Sequence, residues 1–126
     1  MFKSNRKFKL WDCRVSHNQV LIRSPSTPDI STNVDLVFWG VEFVSLPTSF
    51  DGLEIDRGES TKQAGSEFSP SANGEVFLID TGGKKFAVVA AGCKVLENAL
   101  NIFESSLEGF SATDQNRDLG EVLAHS

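Results

Sequence analysis

The stretch from Asn33 to Pro47, NVDLVFWGVEFVSLP, constrains the fold more than any other part of the chain, because it reads as one long strand that is apolar on both faces. Side chains of a strand alternate between faces, so Val34, Leu36, Phe38, Val44 and Leu46 fall on one side and Val37, Trp39, Val41 and Phe43 on the other. A single sheet packed on one helix leaves one face wet, whereas this strand needs cover on both. In 126 residues that need implies a sheet that closes or folds over on itself, or a second subunit. Gly40 marks a point where the strand can bend or admit a close backbone.

The flanking segments read as antiparallel. Phe8 to Val15 and Gln19 to Arg23 form a hairpin around Ser16-His17-Asn18-Gln19, and the prolines at 25 and 28 make a loop of residues 24–33. Leu53 to Ile55 reads as a short edge strand, with Glu54 and Asp56 directed outward. Residues 57–74, RGESTKQAGSEFSPSANG, form a long polar flap whose one large apolar side chain is Phe68. Glu75 to Asp80 and Lys84 to Ala90 flank Thr81-Gly82-Gly83, a hairpin turn whose glycines accept positive φ.

The end of the described pattern reads differently. Val95, Leu96, Ala99, Leu100, Ile102, Phe103 and Leu107 recur at three- and four-residue spacing, which predicts an amphipathic helix from about Cys93 to Leu107. Lys94, Glu97, Asn98, Asn101, Glu104 and Glu108 would line its wet face, with Gly109 and Phe110 as a Schellman-type stop and Leu100 and Phe103 buried on the sheet. The expectation is therefore an α+β fold: an antiparallel, strongly bent or partly closed sheet of about six strands with one C-terminal amphipathic helix. Residues 1–110 would be a single domain and 111–126 a polar tail or short docking helix. This order of elements resembles the PH-like superfold, a bent pair of sheets closed at one end by a helix.

Size and composition narrow the class. An apolar fraction of 40% and a charged fraction of 23% are those of an ordinary globular protein. Two cysteines, Cys13 and Cys93, make neither a disulfide framework nor a zinc set, and no signal-like segment opens the chain, so a reducing cytoplasm is expected. No apolar run is long enough to span a bilayer. The net charge of −5 is uneven: Lys3, Arg6, Lys7, Lys9, Arg14 and Arg23 stand against Asp12 alone in the first 23 residues, a charge of +5 that leaves −10 for the rest. Without a stacking aromatic motif or a reading helix, that basic arm disfavours nucleic acid as a partner and is expected to lie against acidic neighbours of the fold or of a partner protein.

Residues with chemistry are few. Ile79-Asp80-Thr81-Gly82 resembles the Asp-Thr-Gly motif of aspartic proteases, which pair two aspartates over a shared proton, although a hairpin turn explains the same letters. Cys93, at the start of the predicted helix, would have its thiol pKa lowered by the macrodipole, or else be a small core residue. Asp51, Glu54, Asp56 and Glu59 lack the spacing of a calcium loop and read as a solvated edge. Glu42 interrupts the apolar strand, so as a buried carboxylate it would need a partner, with Arg14 or Arg23 available. Trp11, Trp39 and Phe43 could wall an apolar pocket, closed by Phe68 from the flap.

Two segments, WDCRVSHNQVLIRSP and NVDLVFWGVEFVSLPTSFDGLEI, resemble small uncharacterised bacterial proteins of the kind carried on mobile gene cassettes such as integrons, which implies a bacterial, cytoplasmic source and no particular activity. The functional expectation is a non-enzymatic interaction or accessory protein, a homodimer or the ligand of a protein partner. The alternative is a small-molecule-binding protein or an unrecognised enzyme, with Trp11, Trp39, Glu42, Phe43 and Phe68 around an aromatic pocket under the 57–74 flap. No catalytic residue, metal or cofactor is assigned.

Overall fold

The computed structural model describes residues 1–101 and 104–107, and the backbone of 121–125. Its strands are β1 (Phe2–Arg14), β2 (Gln19–Ser24), β3 (Asn33–Trp39), β4 (Phe43–Ser45), β5 (Ser49–Gly58), β6 (Glu75–Thr81), β7 (Lys84–Ala90), β8 (Gly92–Asn98) and β9 (Glu121–His125). They form one antiparallel sheet in the order β4-β7-β6-β5-β1-β2-β3-β8-β9. Among the described residues the helical segments are two 3-10 turns, Val15–His17 and Thr61–Ala64, and no helix is long and apolar enough to cross a membrane.

Strands from the two halves of that order are joined by very short covalent links. Residues 40–42 alone separate β3 from β4, and Ala91 alone separates β7 from β8. Two long bent strands therefore run side by side, β3 with β8 and β4 with β7, and the sheet folds over on itself. The bend is stitched by Ala91 N–H to Trp39 O at 2.9 Å and Glu42 N–H to Val89 O at 2.8 Å. Gly40 makes it possible: its φ is +60°, and a Cβ there would lie 2.6 Å from the Cβ of Ala91. Opposite this bend β1 serves both halves, pairing β5 from Phe2 to Lys9 and β2 from Lys9 to Arg14, with a register shift in each pairing.

The enclosed interior is filled. Phe8, Ile22, Leu36, Phe38, Ile55, Phe77, Ile79, Val88 and Val95 are all fully buried in one cluster drawn from both halves. Phe38 and Phe77 meet edge to face with centroids 5.7 Å apart. Val34, Leu36 and Phe38 face this interior, while Val37 and Trp39 belong to a second cluster on the outside. The alternation breaks at the Gly40 bend, beyond which Val41 packs inward and Phe43 outward.

Among the described residues the predicted helix is absent, and with it the α+β class and the PH-like order. Cys93 to Asn98 is β8, paired residue for residue with β3 from Asn33↔Asn98 to Trp39↔Gly92. The spacing misleads because a strand covered on both faces buries consecutive residues: Val95 is fully buried inside and Leu96 outside. Asn98, placed on a wet helical face by the periodicity, is likewise buried. Leu100 is half-buried; Ile102, Phe103, Gly109 and Phe110 lie outside the described residues. Among the described residues the strands number nine rather than about six. Leu53 to Ile55 is not an edge but the middle of β5, held between β1 and β6. The end of the supposed tail, Glu121–His125, is a strand on β8. The hairpin at 75–90 has its turn at Gly82 and Gly83, with φ of +59° and +78°.

Candidate functional site

Folding the sheet over buries one face of each half inside and leaves each outer face to be covered separately. On the β2-β3-β8 side the sequence puts opposite charges inside apolar runs, Arg23 in VLIRS and Asp35 in NVDLV, and the register makes them direct cross-strand partners. Both side chains are 0% exposed. Arg23 donates from Nε to Asp35 Oδ1 at 2.7 Å and from Nη2 to Oδ2 at 2.9 Å, a bidentate pair. Its remaining Nη1 reaches Glu104 O at 2.8 Å, and its guanidinium lies 5.3 Å from the Trp11 ring centroid.

Further amides complete the network. Asn98 Nδ2 donates to Asp35 Oδ2 at 2.8 Å, and the Ser106 hydroxyl donates to the same oxygen. Asn33 Nδ2 donates to Asn98 Oδ1 at 2.9 Å and to Leu100 O at 2.7 Å. Leu107 fills an apolar socket of Leu21, Val37 and Leu96 edged by Trp11 and Trp39. Ser105 donates to Asp12 at 2.7 Å; partial burial would raise the Asp12 carboxyl, but hydrogen bonds from Ser105 and Arg14 outweigh it and hold it below the usual range. Among the described residues no buried side-chain polar atom lacks a partner. The arrangement is a clamp that pins residues 104–107 across the sheet.

The outer face of β6, β7 and β4 is covered without buried charge. Val76, Leu78, Ala87 and Val89 pack with Phe43, Ala64 and Phe68. Phe68 stacks on Phe43 with centroids 5.0 Å apart. The flap is shaped locally: Ser60 Oγ accepts from Lys62 N at 3.1 Å, Gln63 Oε1 accepts from Ser60 N at 3.1 Å, and Thr61 Oγ1 accepts from Phe68 N at 3.0 Å. Glu42, expected to be buried against Arg14 or Arg23, is exposed instead, because the bend at Gly40 turns it to the flap. It accepts from Ser71 N at 2.8 Å and from the Ser71 hydroxyl. Those two hydrogen bonds hold its carboxyl below the usual range.

Of the five residues assigned to a pocket, the structure brings Glu42, Phe43 and Phe68 together at the flap and places Trp11 and Trp39 on the other outer face. Phe68 itself occupies the space over Phe43. Asp80 sits at the turn end of β6, in register with Glu54 on one side and Lys85 on the other. Cys93 is on a strand rather than at a helix terminus, and burial pushes its thiol up, the reverse of activation. The basic arm meets acidic neighbours in register, Lys3 opposite Glu54 and Lys7 opposite Asp51. The clamp of Arg23, Asp35, Asn33, Asn98 and Ser106 escaped the sequence reading, although two lone opposite charges in adjacent apolar strands are a signal for it.

Open features on the surface of the described residues include a polar hollow of about 280 Å³ between β1, β5 and the β6–β7 turn and three others. A shallow groove of about 500 Å³ runs along the flap past Glu59, Lys62, Glu67 and Pro70. A notch of about 130 Å³ lies where β4 parts from the β1–β2 hairpin, lined by Cys13, Val15, Val20, Val41 and Val44. A groove of about 380 Å³ lies where β1 parts from β2. Compared with protein-family models, curated proteins and solved structures, the chain matches none.

Proposed function

We propose that the protein is a non-enzymatic interaction protein that self-associates through the notch beside β4. The observation that carries this reading is an apolar patch at a strand edge. Val15 is 80% exposed and Val44 38%, both border the notch, and β4 pairs with β7 alone among the described residues. An unpaired edge with apolar side chains is a template for another strand, and two copies related by a two-fold axis would cover each other's valines.

Light scattering across a concentration series tests it. The wild type should gain mass with concentration, and Val15→Glu with Val44→Glu should remain monomeric. A wild type that stays monomeric throughout would sink the proposal. The flap groove supports a second reading, a small polar ligand. A thermal-shift screen addresses that one, since a ligand at 100 times its dissociation constant adds about 2.7 kcal/mol.

A further inference from the structure

The opposite seam differs in character. From Phe2 to Phe8, β1 pairs with β5 on one side, while its register with β2 begins at Lys9, so among the described residues no strand lies on its other side. Leu10 N–H donates to Thr48 O, toward β5, at 2.8 Å. By the alternation of an antiparallel ladder, the N–H and C=O of Lys7 point the other way, into the groove. The far wall is the segment after β2, with Pro25 and Ile30, the latter 42% exposed. Backbone pairing does not close this gap. Arg6 bridges it, donating from Nε to Ser24 Oγ at 3.0 Å and from Nη2 to Thr32 O.

The groove is lined by Arg6, Lys7 and Lys9 and by no carboxylate. Acidic groups do stand nearby: Glu97 lies 4.0 Å from Arg6 Nη1, Asp51 on β5 is the register partner of Lys7, and Asp29 precedes Ile30. Lys7 and Lys9 are exposed. We infer that this seam binds an extended acidic segment of a partner protein, which adds to the β1 edge at Lys7, sets carboxylates against Lys7 and Lys9 and lays an apolar side chain on Pro25 and Ile30. A free edge supplies main-chain hydrogen bonds, a pocket beside it selects alternate side chains, and the uniformly positive lining selects an oppositely charged partner. The competing role for edge lysines is to repel other strands. The site is separate from the β4 notch and does not depend on self-association.

The probe is a fluorescein-labelled peptide of alternating Glu and Val residues, followed by anisotropy with the full chain and with the Val15→Glu, Val44→Glu variant. Both proteins should bind it, more weakly as salt rises. Lys7→Glu with Lys9→Glu should weaken binding at least about tenfold, and the milder Lys7→Gln with Lys9→Gln should weaken it less, each variant being checked by circular dichroism. The same peptide N-methylated on alternate residues keeps its charge but cannot pair with an edge, and it should lose binding. Failure of the unmodified peptide to bind overturns the proposal. So does equal binding of the methylated peptide, or tighter binding of a single-stranded oligonucleotide of matched charge.

Discussion

The two outer faces of the folded sheet pose one problem and meet it with different chemistry. On the β2-β3-β8 face the cover is residues 104–107, held by a fully buried arginine–aspartate pair and by Asn33, Asn98 and Ser106. On the β6-β7-β4 face the cover is the 59–74 flap, held by an aromatic stack and by hydrogen bonds local to the flap. A buried ion pair adds little net stability over an apolar pair of the same volume, but it tolerates no other partner. An aromatic stack is worth its buried area and about 0.5–1.5 kcal/mol more, and other apolar side chains can supply most of that area. The first cover is thus specified by polar complementarity and the second by apolar burial, which predicts opposite responses to mutation.

The largest effect belongs to the clamp. Asp35→Ala leaves Arg23 charged and buried, so it should cost about 3–5 kcal/mol, a large share of the stability of a domain this size. Replacing both partners, Arg23→Met with Asp35→Leu, should recover most of that loss, because neither charge is then desolvated. Urea denaturation of the single and double variants gives the comparison. A double variant as unstable as Asp35→Ala would mean that the hydrogen bonds to 104–107, rather than charge compensation, set the energy of this face.

A smaller, simpler effect is expected at the flap. Phe68 is half-buried, so Phe68→Ala should cost roughly 1–3 kcal/mol. The loss should be local: amide exchange should quicken across 60–71 while β6 and β7 stay protected. Equal acceleration in the flap and in those strands would make the flap part of the cooperative core, and the contrast between the two covers would fail.

The same contrast explains what could be read from the sequence. The hairpins at 8–23 and 75–90 carry their own turn residues, and the two-sided run at 33–39 announces its need for cover, so these elements were legible locally. Cys93 to Asn98 was not. Its buried residues satisfy helical spacing and a doubly covered strand alike, and what decides between them is pairing with β3, which lies some sixty residues away in sequence. Glu42 was misplaced for a related reason: strict alternation carried through Gly40 puts it inside, and the positive φ of that glycine resets the faces. Arg14 and Arg23 read as partners for Glu42, but the register with β3 sets Arg23 against Asp35 instead, and Glu42 finds Ser71.

The smallest expected effect sharpens the comparison at the flap's far end. Glu42 is exposed, yet hydrogen bonds from the Ser71 hydroxyl and amide hold its folded pKa below the usual carboxylate value. A carboxyl whose pKa is depressed on folding binds its proton more readily in the unfolded chain. Its contribution is therefore present above the unfolded pKa and is lost as pH falls through the folded one. Because the group is solvated, this should appear as loosening of the flap and not as global unfolding. Protection of the Ser71 amide should fall as the solution is acidified below the usual carboxylate range. Glu42→Gln, which cannot ionise, should show lower and pH-independent protection with an unchanged denaturation midpoint. If Ser71 exchanges alike in both proteins at neutral pH, the stack of Phe68 on Phe43 holds the flap alone, and its cover is apolar from end to end.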